Sequence, residues 1–588
     1  MVLLLVGGAV LARVVGGRLF FDPVHALILR VVAIATIGVL AVRPLRQGAI
    51  RAMNHLRAPS PGARRTIAVV LTLAAAAYLY QAALGQGRRF QPVIHDEYCY
   101  LIQSRMLAAG HLWMPRHDAG EFFDSFHLIT DRAYAAKYGP GAALFFAPVI
   151  AAGLPYWLGP LALTALSVGL VYLLITHWID GLAGLLAVLM LPTLQPFRRV
   201  SIEALSQPPL VFLTLVALWA MLHWRRDKSI RWMVVMSAAV GWAAITRPAD
   251  AAALGLPLAL GVLLGLRGSA RTRWISTVLT GLAAAAPFLA LQAIYDKGVT
   301  GSWTTLPWTY YASRNDPCDR LLTAPPGSPD DVRPDLTAPK RTFNQTFTRP
   351  RYEAGRATPM FRRFWHDRLV PTLQLLAPHA LLLALLPLGV LGAMCSRGRW
   401  IAAGFVLTFL GVYAQYPFYY GPYALAIAAP VFLMLLAGWD ALAAALPRVG
   451  DPVRFVSFVA ILALVVISLP EMQRVRPGDE WQLADAMREY DDRLAILQRR
   501  PSLVLFHFDP ASSNPHCEPV YNADVAWPDD AQVIRAHDLG PTRNRKLFDY
   551  YARLRQDRDV YLYDRSATAS ANPLRHLGKI SELTDRTH

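Results

Sequence analysis

The stretch that decides the fold is residues 160–177, PLALTALSVGLVYLLITH, which contain no Asp, Glu, Lys or Arg. As a helix this run is close to the ~30 Å thickness of the hydrocarbon core of a bilayer. Similar runs recur along the 588-residue chain. Their continuous apolar character excludes a transmembrane barrel, whose strands alternate between apolar and polar residues. The sequence therefore predicts an all-α polytopic membrane protein.

The composition supports this fold class and excludes several functions. Hydrophobic residues make up 54% of the chain and charged residues 17%, with a mean hydropathy of +0.32. The net charge of +18 would indicate a nucleic-acid partner in a soluble domain. Many of the basic residues instead lie in short turns between apolar runs, as the positive-inside rule predicts, so we expect no nucleic-acid partner. The four cysteines show no close pairing, which favours neither a zinc site nor a disulfide framework.

The basic turns orient the chain. If the arginine-rich connection 43–65 and the later basic turns all face the cytoplasm, the amino terminus lies inside and the carboxy terminus outside. The short apolar segment 142–154 then lies in the outer interface as a non-spanning helix, because counting it as a span would invert every later turn. We read Met1–Ala12 as part of a retained first span. This drawing has about thirteen spans: 2–17, 25–42, 66–85, 160–177, 181–197, 207–224, 231–247, 251–266, 275–295, 376–394, 400–415, 423–446 and 455–470.

The spans divide the chain into three predicted domains. Residues 1–59 form an N-terminal transmembrane hairpin with a cytoplasmic basic turn, and residues 60–470 form a membrane catalytic domain with outer loops 86–141 and 296–375. Residues 471–588 form a small extracytoplasmic soluble α/β domain. This domain contains two strand-like runs, Ser502–Phe508 and Arg558–Tyr563. Alanine- and arginine-rich usage indicates a GC-rich bacterial genome and therefore a bacterial plasma (inner) membrane.

The outer face carries the candidate chemistry. His95-Asp96-Glu97-Tyr98 places two adjacent carboxylates at the start of a helix-like segment. The helix dipole alone favours acids there, but an acid at a dry interface can also be tuned for proton abstraction. Lys137 and Arg247 are two cations predicted at the same depth, where they could clamp a phosphate or simply snorkel to the interface. Glu203 is a third acid in an outer turn, and Arg198 and Arg199 could equally serve only to neutralise it.

These motifs carry a resemblance. Asp96-Glu97 with the following YLIQSRMLAAGHL resembles the first outer loop of GT-C superfamily glycosyltransferases, in the branch of protein O-mannosyltransferases and the lipid A aminoarabinose transferase. Lys137-Tyr138-Gly139-Pro140 is similar to a Lys-Pro-Pro element of that branch, and Ile-Thr-Arg-Pro at 245–248 to a Leu-Thr-Lys-Gly element. Glu203 stands where the family more often has Asp. The resemblance covers residues 60–300 and is looser over 376–470.

The resemblance implies a GT-C-like fold and an inverting glycosyltransferase. It would move a sugar from a polyprenyl-phosphate donor to a lipid, glycan or protein acceptor on the extracytoplasmic face. Its catalytic candidates are Asp96, as general base, and Glu97. Lys137 and Arg247 would bind the donor phosphate, while Glu203, Tyr98 and Tyr138 would contact substrate. No cofactor is indicated with certainty, and a divalent metal held by Glu97 or Glu203 with His95 or His127 stays open, since no spacing here is diagnostic for one.

Two other functional classes compete with an enzyme. A secondary transporter predicts ionisable residues near mid-membrane, and the predicted spans are nearly free of charge at their centres. A membrane assembly or binding protein with an outer soluble domain would tolerate Asp96→Asn, which an enzyme using Asp96 would not.

Overall fold

The computed structural model describes residues 8–10, 12–13, 23–324, 332–396, 398–445, 450–473, 479–566 and 573–585. Most of the predicted first span, 2–17, lies outside these ranges, as does the polar stretch 325–331 of the second outer loop. The α-helices up to residue 300 are α1 (Pro23–Ala41), α2 (Arg43–Arg57), α3 (Pro61–Gly85), α4 (His95–Ala108), α5 (Ala143–Ala151), α6 (Leu158–Trp178), α7 (Gly181–Met190), α8 (Gln195–Val200), α9 (Gln207–Asp227), α10 (Ile230–Thr246), α11 (Pro248–Gly265) and α12 (Arg271–Thr300).

The second half of the chain continues with shorter helices and then a sheet. Its α-helices are α13 (Pro307–Asn315), α14 (Ala338–Phe343), α15 (Arg349–Ala357), α16 (Met360–Arg362), α17 (Val370–Leu376), α18 (Leu386–Met394), α19 (Trp400–Tyr413), α20 (Ala428–Ala444), α21 (Gly450–Gln473), α22 (Asp479–Leu494), α23 (Pro541–Arg553) and α24 (Ile580–Asp585). The strands among the described residues are β1 (Met114–Pro115), β2 (Leu128–Ile129), β3 (Ala133–Ala136), β4 (Ser502–His507), β5 (Val533–His537), β6 (Asp559–Asp564) and β7 (Leu574–Lys579).

The chain is a multi-pass membrane protein. In the described ranges, seven helices are long and apolar enough to cross a bilayer, and two bent pairs raise this number to nine. The pairs are α1 with α2, bent by 106°, and the helical segment Met360–Leu376 with Ala380–Met394, bent by 112°. Three shorter apolar helices, Gly181–Thr193, Ile230–Thr246 and Trp400–Tyr413, fall on further predicted spans. Every predicted span after the first therefore coincides with a helix, while length alone counts seven to nine crossings.

Local sequence signals explain where these helices begin and how far they extend. The hydroxyl of Ser60 accepts a hydrogen bond from the backbone of Ala63 and caps α3, which starts on Pro61. Asp180 caps α7 in the same way through Ala183. The segment predicted to lie in the interface forms α5, whose nine residues reach only about 14 Å. It is too short to cross the bilayer, as predicted.

The basic turns gather at one end of the helix bundle, here called the basic end. Asp180, after α6, pairs with Arg57 at 3.2 Å and with Arg454 at 2.9 Å. Arg454 also reaches Asp440 at 2.8 Å, and Arg399 donates to the carbonyl of Trp178. The opposite end, here called the loop end, carries residues 86–141, 198–206, 301–324, 332–376 and 413–423. This separation agrees with the predicted topology.

The C-terminal residues form a four-stranded sheet with the order β5-β4-β6-β7. β4 is parallel to both β5 and β6, and β7 is antiparallel to β6. Leu503, Val504 and Leu505 are fully buried, as expected for a central parallel strand covered on both faces. Both predicted strands are confirmed as β4 and β6, and the sheet with α22, α23 and α24 is the predicted small α/β domain.

This C-terminal domain shares a hydrophobic core with the first outer loop. Buried side chains of α4 and of the segment 119–146 pack in one cluster with residues of the sheet, including Tyr98, Phe122 and Phe506. Polar contacts cross the same interface: His117 bonds Asp529 at 2.9 Å, and Arg105 donates to the carbonyl of Ala523. The domain is therefore part of the loop end and not a tethered appendage.

Asp124 is a junction of three segments. Its carboxylate, 1% exposed, accepts hydrogen bonds from Arg333 and from Lys340 in the second outer loop. Its backbone carbonyl lies 3.3 Å from Nε2 of His537 in the C-terminal domain. Burial raises the pKa of Asp124, but the charges of Lys340 and Arg333 outweigh this effect and hold it below its ordinary value. The carboxylate is therefore charged and fully paired.

We predict that Asp124→Ala strongly destabilises the loop end. Removing one member of a buried ion-pair network leaves Arg333 and Lys340 without their counter-charge, a loss of about 3–5 kcal/mol. The melting temperature of the purified protein in detergent should fall, and limited proteolysis should release the C-terminal domain earlier than in wild type. The exposed Asp118 in the same loop gives the control Asp118→Ala, for which we expect no change. An Asp124→Ala protein that melts and resists protease like wild type would contradict the junction.

Candidate functional site

Asp96 lies in the first turn of α4, at the loop end. Its Oδ1 accepts a hydrogen bond of 2.5 Å from the hydroxyl of Tyr138, and Nε2 of His127 lies 3.0 Å from the same oxygen. Oδ2 has no hydrogen-bond partner among the described residues, and the side chain is 37% exposed. One oxygen is therefore fixed by two donors, while the other is open to a ligand.

The surroundings of Asp96 keep it ionised. Burial raises the pKa of its carboxyl group, but the hydrogen bonds from His127 and Tyr138 and the charge of Lys137 outweigh burial and hold this pKa well below its usual range. Burial and the charge of Asp96 raise the pKa of Tyr138, so its hydroxyl stays protonated as a donor. At neutral pH the pair is thus a phenol donating to a carboxylate.

Lys137, which follows β3, is buried and ion-paired. Its Nζ donates to Oδ2 of Asp319 at 2.9 Å and lies 5.0 Å from the centre of the Tyr311 ring. Asp319 also accepts from Trp308 at 3.1 Å and from Tyr416 at 2.9 Å. An ammonium group has three donors, and the described residues use one, so two remain for a ligand.

Arg247 connects α10 to α11 and is held from three sides. Its Nε donates to Asp250 at 2.8 Å, one η nitrogen to the hydroxyl of Ser206 at 3.1 Å, and the other to Tyr413 at 2.8 Å. The guanidinium also lies 4.1 Å from the centre of the Tyr423 ring. A guanidinium has five N–H donors, so each η nitrogen keeps one that these contacts do not use.

A row of side chains joins the two halves of this site. Tyr138, bonded to Asp96, stacks on Tyr100 with ring centres 4.7 Å apart and planes 16° from parallel. Burial raises the pKa of Tyr100, and the charge of Arg247 and a hydrogen bond with Ser206 lower it. Asp96, Lys137, Tyr138 and Arg247 therefore belong to one polar region, which we call the central site.

Glu97 and Glu203 form a second group beside the central site. Glu97 is 1% exposed, and its Oε2 accepts from the backbone of Val93 at 2.9 Å and from that of Ile94, the N-cap residue, at 3.5 Å, so Glu97 caps α4. Glu203 pairs with Arg88 and, at 3.1 Å, with Arg199. Burial and the charge of Glu203 raise the pKa of Glu97 to about 8, so Glu97 is mostly protonated at neutral pH.

Tyr98 points away from the central site, toward the C-terminal domain. Its ring stacks on Tyr521 with centres 4.5 Å apart and planes 7° from parallel, and its hydroxyl donates to the carbonyl of Pro92 at 2.9 Å. The hydroxyl of Tyr521 in turn lies 3.1 Å from Nδ1 of His95. The C-terminal domain thus contacts the residue directly before Asp96.

A metal cluster is not evident in the described ranges, where no group of three or more His, Cys, Asp or Glu side chains is placed to hold an ion. His127, a candidate metal ligand on sequence grounds, instead contacts Asp96 through Nε2. His95 uses Nδ1 for Tyr521.

The structure adds residues that the sequence did not indicate. Asp319 lies in an irregular part of the second outer loop, and nothing in its neighbourhood marks it as the partner of Lys137. Tyr413 ends the apolar helix α19 and Tyr416 follows it, where an interfacial aromatic belt accounts for both without any site. Asp250 did carry a signal, because it lies three residues after Arg247 at the start of a helix, a spacing that favours an ion pair.

Comparisons with known proteins bear on the fold. No family model matches this sequence, and no curated protein matches it. Among solved structures, the chain is similar to ArnT from Cupriavidus metallidurans bound to undecaprenyl phosphate, with a TM-score of 0.50 and 13% identity over 86% of this chain and 94% of that one. The apo state of the same protein gives 0.49 and 14% over 87% and 96%. An oligosaccharyltransferase from Archaeoglobus fulgidus gives 0.37 and 14% over 72% and 61%.

At this identity the first of these likenesses shows a shared fold, and the two lower scores add no argument. The GT-C-like fold that the sequence resemblance predicted is therefore confirmed.

We predict that ionisation of Glu97 lowers the free energy of unfolding as the pH rises from about 4.5 through 8. The folded protein holds the proton to a higher pH than the unfolded chain does, so the free energy of unfolding falls across this window. Glu97→Gln, which mimics the protonated acid, should therefore melt like wild type at pH 5 and at a higher temperature than wild type at pH 8. Thermal unfolding across this pH range tests the expectation. Parallel curves for the two proteins would contradict it.

Proposed function

We propose that this protein is an inverting membrane glycosyltransferase. It would move a sugar from a polyprenyl-phosphate-linked donor to a hydroxyl group of a lipid, glycan or protein acceptor. The observation that carries the proposal is the open Oδ2 of Asp96, whose other carboxylate oxygen is fixed by two donors. Asp96 shares the central site with Lys137 and Arg247, two cations whose described hydrogen bonds do not use all their N–H groups.

Asp96 is the proposed general base. As the acceptor oxygen attacks the anomeric carbon, the bond from that carbon to the phosphate oxygen breaks, and the acceptor proton passes to Oδ2. A carboxylate with a low pKa is a weak base. It suits a step in which the acceptor hydroxyl becomes acidic only as its new bond to the sugar forms, and it leaves Asp96 ionised and ready over a wide pH range.

Lys137 and Arg247 are the proposed phosphate ligands. Both keep N–H donors that the described contacts do not use. Lys137 is buried and Arg247 is mostly buried, with 17% of its side chain exposed, so electrostatic interactions at both are stronger than in water. The leaving polyprenyl phosphate gains negative charge as the sugar departs. Donors already fixed in place by Asp319 and Asp250 would stabilise this charge without reorganisation.

The remaining candidates take supporting roles in this proposal. Glu97 caps α4 and so fixes the turn that presents Asp96, and Glu203 lies beside it with Arg88 and Arg199. Tyr138 orients Asp96 through its hydrogen bond and is proposed to contact the substrate. Tyr98 is proposed to support the acceptor side indirectly, by anchoring the C-terminal domain.

The fold supports the class of donor. The ArnT structure of the same fold is bound to undecaprenyl phosphate. In this chain, Lys137 and Arg247 at the loop end are two cations that could bind the same kind of lipid phosphate. With the basic end in the cytoplasm, as the positive-inside rule requires, the central site and the C-terminal domain face the extracytoplasmic side of a bacterial plasma membrane.

We expect Asp96→Asn to abolish sugar transfer. The amide keeps the shape of the side chain but cannot take the acceptor proton, so the rate should fall by about 10²- to 10⁴-fold. The assay uses protein reconstituted in liposomes with a panel of polyprenyl-phosphate sugars and with lipid, glycan and peptide acceptors. Asp118→Asn, in an exposed part of the same loop, serves as the matched control and should transfer like wild type. Equal transfer by wild type and Asp96→Asn would remove Asp96 as the base, and no transfer by folded wild type across the panel would overturn the enzyme class.

We also expect the cation of Lys137 to be required for binding the lipid phosphate. Lys137→Met alone would leave Asp319 buried without its partner, so the test uses the double variant Lys137→Met/Asp319→Asn, which removes both charges. Undecaprenyl phosphate should raise the melting temperature of wild type, because a ligand that binds the folded state stabilises it. The double variant should fold and show little or no such rise. A full rise in the double variant would show that the phosphate binds elsewhere.

A further inference from the structure

His127 is the second donor to Asp96 and comes from a different segment than the first. It directly precedes β2, whereas Tyr138 follows β3. Its Nε2 lies 3.0 Å from Oδ1, the oxygen that also accepts the Tyr138 hydroxyl. Two donors on one oxygen fix the rotation of the carboxylate, and they direct the other oxygen to the open side.

The backbone of His127 is strained and held in place. Its φ of +65° is in the left-handed region, which non-glycine residues adopt only at a cost. The backbone N–H donates to the hydroxyl of Tyr311 at 3.1 Å. The carbonyl accepts from the backbone of Lys137 at 2.9 Å and from the thiol of Cys99 at 3.1 Å. These contacts keep a conformation that the residue alone would avoid.

The protonation state of the ring follows from its two nitrogens. Nδ1 is buried and has no hydrogen-bond partner in the described structure, so a proton there would be an unsatisfied buried donor. Burial and the charge of Lys137 lower the pKa of the imidazole, and the hydrogen bond to Asp96 opposes this shift. The hydrogen-bond network therefore assigns the neutral tautomer with its proton on Nε2, where it donates to Asp96.

Charged and titratable groups surround the ring on several sides. Asp96 and His95 face it from α4, and the His95 ring centre lies 6.1 Å away in an edge-on arrangement. Tyr138 and Lys137 face it from the segment after β3, and Tyr311 from α13. The charge of Asp319 also acts on it.

We propose that His127 is a positioning residue for the transfer step. Its neutral Nε2–H, together with the Tyr138 hydroxyl, holds Oδ1 of Asp96 so that Oδ2 alone receives the acceptor proton. The inference rests on the proposed function, since it assigns His127 a role only in a reaction that uses Asp96 as base.

Two amide variants of nearly equal chemistry separate positioning from folding. Gln places an amide nitrogen near the position of Nε2, so His127→Gln keeps the donor. Asn is too short to reach Asp96, but it tolerates positive φ better than most residues, so His127→Asn should fold at least as stably. A purely structural role therefore favours Asn over Gln, and a positioning role favours Gln over Asn.

Two quantities are measured for each variant. The reconstituted transfer assay gives the turnover number as a function of pH, and thermal unfolding gives the melting temperature. Wild type should stay active far into the acid range, because Asp96 stays ionised. In His127→Asn we expect turnover at neutral pH to fall about tenfold or more, and the acid limb to move up by about one pH unit, since the carboxylate has lost a stabilising donor. His127→Gln should keep the wild-type limb and most of the turnover. The exposed His111 in the same loop provides the control His111→Gln, which should match wild type throughout.

Each outcome decides the inference. If His127→Asn keeps the wild-type turnover and acid limb, or if His127→Gln loses activity as far as His127→Asn does, His127 does not position Asp96. Should both variants melt early, Tyr138→Phe removes the other donor on the same oxygen and must move the acid limb in the same direction. If folded wild type transfers no sugar, the proposed function fails first. If wild type transfers sugar and the acid limb does not move in His127→Asn or Tyr138→Phe, only the positioning role fails.

Discussion

The loop end depends on one constraint: a charge removed from water must find its partner inside the protein. Asp124 meets this constraint with Arg333 and Lys340, and in doing so it ties the first outer loop to the second. Asp319 does the same for Lys137 in the central site, and Asp250 does it for Arg247. The pairs of Asp124 and Asp319 join segments that are distant in the chain, so the pairing of these charges also fixes the geometry of the site.

The pairing has a consequence for the two proposed phosphate ligands. A bare pair of cations would attract any anion, whereas cations already neutralised by carboxylates offer directed N–H groups with little excess charge. Recognition then depends on shape and on hydrogen bonding more than on net attraction. In a membrane surface rich in anionic lipids, such a site would be occupied less readily by headgroups that merely carry charge.

Much of this architecture could be predicted from the sequence. The uninterrupted apolar runs predicted the helices, and the shortness of 142–154 predicted the non-spanning α5, because length and hydropathy are local properties. The runs Ser502–Phe508 and Arg558–Tyr563 predicted β4 and β6 for the same reason. The first turn of α4 was recognised from its paired acids.

What the sequence could not show was the different roles of the two acids in that pair. Glu97 turns inward to cap the helix while Asp96 faces the central site, and only the path of the chain before His95 decides which acid does which. The roles of Asp319 as the partner of Lys137 and of His127 as the partner of Asp96 could not be predicted either. They come from contacts between distant segments, which produce no spacing pattern in the sequence.

The contact between Tyr521 and His95 joins residues 426 positions apart in the chain. A ribosome that adds roughly 5–20 residues per second needs about 20 to 85 seconds to make the intervening segment. During that time the membrane helices can insert, yet the surface beside Asp96 is not covered by the C-terminal domain. The site therefore becomes complete only near the end of synthesis, after the last domain has folded. Chains that terminate early would keep most of their membrane helices and would lack a complete site.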